Sequence, residues 1–360
     1  ENGLKTVEII KGPASLIYGS GAVGGVINLL PEEVAREGTI SGEYSLRYFS
    51  NTVGVLSNLG IKGNQNGFVW SVRGGINSNK DYIQGNNQFV PNSRYNSYNI
   101  KADAGIIRKF GNFRIFYTHN KSNFGMAVEP AFSLVTENQR KNEVWYQDLT
   151  DNLLVSQNRF FINKVKLDFD LSYQNNNRKL KGQPNDSIPN MVEMTLLTFS
   201  YRLKAAHTFN QKFRMVAGVQ GLYQNNENGD APDHVLPDAT LNDISLYALL
   251  QYEFTKLKLE GGIRYSYRDI DVPYQEAGGG HSHEEEEEHE EEHEDEEEYI
   301  EFNNHYNNLS ASVGATWTIN EQNLIRLNLA SAFRAPNLAE LTQHGKHGVR
   351  FEEGHPDLQI

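Results

Sequence analysis

The stretch Lys164–Tyr173 reads "KVKLDFDLSY", and its two interleaved residue sets decide how the chain folds. Val165, Leu167, Phe169, Leu171 and Tyr173 are apolar or aromatic, whereas Lys164, Lys166, Asp168, Asp170 and Ser172 are charged or polar. Successive side chains of an extended strand point to opposite faces, so a period of two builds a ribbon with one greasy side and one charged side. The pattern recurs in "LKLEGGIRYSYR", where Leu257, Leu259, Ile263, Tyr265 and Tyr267 oppose Lys258, Glu260, Arg264, Ser266 and Arg268. It recurs again in "LIRLNLA", where Ile325, Leu327 and Leu329 alternate with Arg326 and Asn328.

Such runs give about 13 strands between residues 38 and 334. The connections between them alternate in length. Short turns are expected near Gly111–Asn112, Asn163, Asn210–Gln211, Thr255–Lys256 and Asn320–Glu321. Long polar loops are expected near 78–94, 122–150, 175–190, 225–242, 272–300 and from 335 onward. A transmembrane barrel has this asymmetry, with short periplasmic turns, long outer loops and strands of about 10 residues. A soluble sandwich or propeller predicts shorter strands and no such alternation. The expected fold is therefore all-β, a transmembrane antiparallel β-barrel. An odd strand count does not close a bacterial barrel, so further strands are expected beyond these.

Composition agrees. No run of 18 apolar residues exists, which excludes a membrane-spanning helix but not a spanning strand. Cysteine is absent, so there is no disulfide framework and no thiolate nucleophile or metal ligand. The chain opens in mid-pattern, without an initiating Met or a leader, which points to a processed or partial chain. The net charge of −13 is local: His281–Glu298, "HSHEEEEEHEEEHEDEEE", holds 13 of the 46 acidic residues, and the remaining 33 face 33 basic ones. No basic footprint for nucleic acid is present.

Near the start, "YGSGAVGG" (Tyr18–Gly25) has the G-x-G-x-x-G spacing of a dinucleotide cradle at Gly19, Gly21 and Gly24. That spacing carries meaning only between a strand and a following helix. Here "PASLIYG" reads as a helical turn before the glycines, and "VINLL" after them reads as a strand. The glycines Gly21, Gly24 and Gly25 are read instead as sites of tight turning and close backbone approach.

The segment "VEIIKGPASLIYGSGAVGGVINLLP" resembles the end of the plug domain of TonB-dependent outer-membrane receptors, and "ASAFRAPNLAELTQHGKHGVRFEEGHPDLQI" is similar to a stretch well into their barrel. The two occur in the family's order and at roughly its separation. The resemblance implies a barrel of about 22 strands stoppered by an amino-terminal plug. Residues 1–35 would be the last part of the plug and 36–360 an incomplete barrel. It also implies a bacterial outer-membrane location and uptake of a scarce ligand, driven through the TonB energy-transducing complex. The TonB box, most of the plug and the last strands of the family pattern are not in this sequence.

Ligand identity has to come from the loops. His281, His283, His289 and His293 stand in the acidic run inside loop 272–300. Neutral imidazole with carboxylate suits zinc, and also nickel, cobalt or copper(II), while the absence of Cys and the presence of only four Met disfavour copper(I). The plain alternative is a solvated, self-repelling acidic loop, but repulsion alone does not require four His. Such a loop would be an antenna: the carboxylates raise the local cation concentration, and imidazoles of pKa ~6.5 make capture fade as pH falls. Candidates for a tighter site are His344, His347 and His355 with Glu352, Glu353 and Asp357, and, more weakly, Asp230, Asp233 and His234 in "DAPDH". His-rich variants of this motif resemble the zinc-uptake branch of the receptors. His119 and His305 fall near outer strand ends and His207 near a periplasmic turn; none is expected to be a ligand.

Catalysis has little support, since no Ser/His/Asp arrangement stands out and Asp168 and Asp170 read as residues of one polar strand face. The expected function is import of zinc or a similar divalent metal, as free ion or chelate, with no catalytic cofactor. The first alternative is a receptor for a siderophore, cobalamin or haem with the acidic loop incidental. The second is a plug-less porin or barrel enzyme.

Overall fold

A computed structural model describes residues 3–10, 17–19, 25–182, 190–276, 299–331, 333–347 and 350–358. The chain begins with β1 (Leu4–Ile10) and β2 (Val26–Pro31), which pair with each other as an antiparallel hairpin. Then come β3 (Thr39–Phe49), β4 (Gly54–Gln65), β5 (Phe68–Ser78), β6 (Tyr95–Arg108), β7 (Gly111–Gly125) and the short α1 (Glu129–Leu134). They are followed by β8 (Tyr146–Ile162), β9 (Val165–Lys181), β10 (Asn190–Thr208), β11 (Phe213–Asn228) and β12 (Ala239–Glu253). The long strands β13 (Leu257–Glu276) and β14 (Tyr299–Thr318) precede β15 (Leu324–Ser331), α2 (Leu338–Thr342), β16 (His344–His347) and β17 (Arg350–Glu353). Strands β3 to β15 form one 13-stranded antiparallel sheet in which every strand pairs with its neighbours in the chain.

The cross-strand register carries the sequence alternation around the whole sheet. Leu154, Tyr173, Phe199 and Tyr223 lie directly opposite one another on β8 to β11, and Ile244, Leu246, Ile263, Leu309 and Val313 continue the same face on β12 to β14. All nine are large, apolar or aromatic, and exposed. The opposite face holds Asn58, Asp168, Ser245, Arg264, Ser266 and Asn308, all buried. This inverts a soluble protein. Leaving one Leu or Ile in water forfeits about 1.5–3 kcal/mol, so a continuous apolar outside is stable only against hydrocarbon.

Two aromatic groups mark the end with the short turns. Phe110, Phe113 and Phe160 form one, with centroids 5.9 and 5.0 Å apart. His207, Phe209, Phe213, Tyr252 and Phe254 form the other, in successive ring contacts of 4.2 to 6.2 Å. They are the girdle expected where a barrel meets the membrane interface. His207 thus belongs to an aromatic belt. Tyr48 and Phe49 end β3, whereas Tyr44, Tyr265 and Tyr267 lie within their strands.

The short connections are 66–67, 109–110, 163–164, 209–212, 254–256 and 319–323, all at this end. Asn66 and Gly67 both have positive φ, 51° and 71°, as a two-residue primed hairpin turn requires. A Cβ on Gly67 would stand 2.5 Å from the Ile107 carbonyl oxygen. The other end carries 79–94, 126–145, 182–189, 229–238, 277–298 and the segment after β15, but its first connection, 50–53, is short. Strands β8 to β14 run to 15–20 residues, longer than about 10, so their outer parts rise past the bilayer and support the loops.

The amino-terminal segment lies on the polar face. Ile17 packs against Ala206, Val216, Tyr247 and Leu249, and the Gln220 amide donates to the Ile17 carbonyl at 3.2 Å and accepts from Arg264 Nη2 at 2.9 Å. Glu32 accepts from Lys62 Nζ at 2.6 Å and from Arg73 Nε at 2.5 Å. Burial pushes the Glu32 carboxyl up, yet the hydrogen bonds from Lys62 and Arg73 outweigh it and hold it below its ordinary value. Gly19 and Gly25 both take positive φ, whereas Gly21 and Gly24 lie outside the described residues.

Candidate functional site

Strand parity brings the candidate residues to the long-loop end. β13 and β14 pair outward as far as Glu276 opposite Tyr299, and the Tyr274 and Tyr299 rings stack at 4.9 Å. His281, His283, His289 and His293 lie between these fixed flanks, outside the described residues.

The segment after β15 folds back over the inner face. Asn337 caps α2: its Oδ1 accepts from the Glu340 amide at 3.0 Å, while the Glu340 carboxylate accepts from the Asn337 amide at 2.9 Å. This reciprocal capping box satisfies two amides that a helix start leaves orphaned. Arg334 adds two donors to the same carboxylate at 2.7 Å each. The Arg334 hydrogen bonds, then the Asn337 amide, hold the Glu340 carboxyl down at about 2. Leu341, fully buried, packs with Ala239, Ile270, Val272, Tyr306 and Ala335, and Leu338 joins the cluster. The motif thus reads physically as a capped helical turn clamped onto β12, β13 and β14.

Beyond α2, the register of β16 and β17 sets His344 opposite Glu353 and His347 opposite Arg350. The His355 amide donates to the Glu340 carbonyl at 2.9 Å, tying the hairpin back to α2. Its ring is exposed, and Nδ1 accepts from the Asp357 amide at 3.3 Å. Glu353 and Asp357 are exposed as well. Asn304 Nδ2 and the Tyr306 hydroxyl donate to the carbonyls of Pro356 and Leu358 at 2.8 and 3.2 Å, which seats this segment on β14.

Asp230, Asp233 and His234 occupy the 229–238 connection, where the Asp233 amide donates to the Met191 carbonyl at 3.0 Å. Among the described residues no three His, Asp or Glu side chains converge as a metal-holding group. Of these candidates, the structure joins the His355 ring to the backbone amide of Asp357.

The partners of several other residues are visible only in the structure. On the outer face, His305 Nδ1 meets Asp269 Oδ1 at 2.7 Å and the Tyr267 hydroxyl at 3.2 Å. His119 contacts Asn152 Oδ1 at 2.8 Å and packs on Tyr98. On the inner face Arg159 and Lys204 reach Asp168 at 2.6 and 3.0 Å, so Asp168 and Asp170 are polar wall residues as their alternation predicts. Only the strand register could have found these partners.

Comparison with solved structures places this architecture. The structure described as "Copper transporter OprC" superposes with a TM-score of 0.71 at 16% identity, covering 96% of this chain and 53% of that one. The Serratia marcescens hemophore receptor HasR, solved as a double mutant in complex with its hemophore HasA and heme, gives 0.74 at 14% identity, covering 99% and 55%. The FrpB iron transporter from Neisseria meningitidis gives 0.70 at 14% identity, covering 93% and 53%. At these identities the likeness concerns the fold, and the chain spans about half the length of each solved structure. Residues 39–359 match the family described as "TonB dependent receptor-like, beta-barrel". With its lipid-suited outer face, polar inner face and one-sided long loops, the chain belongs to this family of Gram-negative outer-membrane proteins.

Proposed function

We propose that this TonB-dependent receptor imports zinc or a similar divalent metal, with residues 1–35 as the end of its plug and segment 277–298 as a metal-capture antenna. The family is one of transporters and receptors, which supports transport over catalysis. One observation carries the metal reading: four imidazoles within 13 residues, His281, His283, His289 and His293, inside a carboxylate run with no basic residue. The carboxylates draw cations electrostatically, and the imidazoles supply the borderline-soft nitrogen ligands that zinc, nickel, cobalt and copper(II) share. His344, His347, His355, Glu352, Glu353 and Asp357 stand next along the outer surface as a second station. Energy for uptake would come through TonB.

A second reading, uptake of iron or haem compounds with the acidic segment incidental, is favoured by the descriptions of the solved relatives, which name iron and heme as well as copper. Calorimetric titration separates the two. Replacing His281, His283, His289 and His293 by Ala should lower the number of weakly bound zinc ions, and an unchanged stoichiometry would reject the antenna. Growth of a deletion strain under chelation should be rescued by zinc and not by iron.

A further inference from the structure

Four consecutive short connections, 109–110, 163–164, 209–212 and 254–256, each carry one lysine and no acidic residue: Lys109, Lys164, Lys212 and Lys256. All four are exposed. An exposed aromatic shares three of these connections, Phe110 with Lys109, Phe209 with Lys212 and Phe254 with Lys256, while exposed Phe161 and Ile162 end the strand before Lys164. Arg108, exposed at the end of β6, adds a fifth cation against the carboxylate of Glu253 at the end of β12. The flanking connections differ: 66–67 is Asn–Gly, and 319–323 holds Glu321 and no basic residue. The basic stretch is thus confined to the hairpin ends between β6 and β13.

The backbone holds these lysines at fixed spacing. Asn210 Oδ1 accepts from the Lys212 and Phe213 amides at 2.9 Å each, and the Lys212 carbonyl accepts from the Glu253 amide at 2.8 Å. The Phe110 carbonyl accepts from the Phe161 amide, and the Lys256 carbonyl from the Thr318 amide, both at 2.8 Å. Neighbouring strands lie about 4.8 Å apart, so successive connections, two strands on, are about 10 Å apart and each lysine meets its own headgroup. Higher on the wall the cations are matched, Arg159 to Asp168 at 2.6 Å and Lys258 to Glu260 at 2.8 Å. Among the described residues none of the four turn lysines forms an ion pair, and Lys256 Nζ reaches the neutral Ile319 carbonyl at 3.4 Å.

We propose that these four turns are a docking surface for anionic phospholipid headgroups of the leaflet that faces the periplasm. The lysines stand at the level of the aromatic belt and at the foot of the apolar wall, so a lipid whose chains lie on that wall brings its phosphate to them. Phe110, Phe209 and Phe254 continue the outer face through ring contacts with Phe113, Phe213 and Tyr252. An acidic periplasmic protein would meet the same cations but would leave these rings unmatched. The inference is independent of which ligand the protein imports.

The test places the full-length protein in nanodiscs of equimolar phosphatidylglycerol and phosphatidylcholine and counts the lipids retained on transfer to detergent by native mass spectrometry. A basic residue at such a surface favours an anionic lipid about fivefold, so phosphatidylglycerol should be enriched severalfold. Enrichment should be strong at ~0.01 M salt, where the Debye length is about 30 Å, and weak at ~1 M, where it is about 3 Å. The combined variant Lys109→Gln, Lys164→Gln, Lys212→Gln and Lys256→Gln should retain the two lipids almost equally. Arginine at the same four positions should keep the enrichment, which separates loss of charge from a folding defect. Lys141→Gln, on an outer loop, should leave it unchanged. Equal retention of both lipids by the wild type, the result expected if the turns serve an acidic protein, would overturn the proposal. So would undiminished enrichment in the four-glutamine variant, or a loss in Lys141→Gln as large as in that variant.

Discussion

Arg94 and Asp81 form an ion pair from which solvent is excluded, with Nε donating to Oδ1 at 3.0 Å and Nη2 to Oδ2 at 2.5 Å. The same guanidinium donates to the carbonyls of Glu137 and Lys141 at 2.9 and 3.0 Å, fastening the 79–94 loop to the 126–145 loop. Asn92 Nδ2 adds donations to Met126, Val144 and Trp145 carbonyls at 2.7 to 3.0 Å. These two loops are therefore one rigid unit of the outer rim.

Removing one partner of a buried pair strands the other charge, at a cost of about 3–5 kcal/mol. Asp81→Asn should accordingly loosen both loops together. Amide hydrogen exchange in 79–94 and 126–145 should rise in parallel while β9 to β11 keep their protection. Faster exchange in 79–94 alone would show that the pair does not couple them.

The Glu340 cap should respond to acid. Its carboxyl is held at about 2, below its unfolded value near 4.5, so the stabilisation is complete above the unfolded value and is lost as pH falls from there towards 2. The group is partly exposed, so solvent screening reduces the effect to a local one. Exchange at the 338–342 amides, corrected for intrinsic rates, should increase across that pH interval in the wild type. Glu340→Gln should have raised exchange at neutral pH and lose most of the pH dependence.

Most of the wall was legible because a period of two needs no partner to be seen. Val165 to Tyr173 announces its two faces by itself, and the opposite strands obey the same rule, so strand number and sidedness follow from local pattern. Contacts set by register were not legible. Asp168 meets Arg159 and Lys204 because β8 and β10 flank it at matching positions, and Arg94 finds acceptors more than 40 residues away. The Asn66–Gly67 turn carries the strongest short hairpin signal yet sits between glycine-rich strands whose alternation is weak.

Leu246 tests the membrane orientation of the wall. It is 57% exposed on the outer face of β12, opposite Tyr265 and Val219. Leu246→Arg should destabilise the protein folded into lipid vesicles by about 2–4 kcal/mol, the cost of a cation near the bilayer midplane. Leu246→Phe should cost little. Equal stability of the two variants in reversible unfolding from vesicles would mean that this face does not meet hydrocarbon.

The most direct measurement is accumulation of radiolabelled zinc by cells that depend on the full-length protein, at limiting metal. With His281, His283, His289 and His293 replaced by Ala, accumulation should drop at low zinc and recover at high zinc, and it should vanish in cells lacking TonB. Accumulation that is identical in wild-type and substituted cells at every zinc concentration would contradict the account.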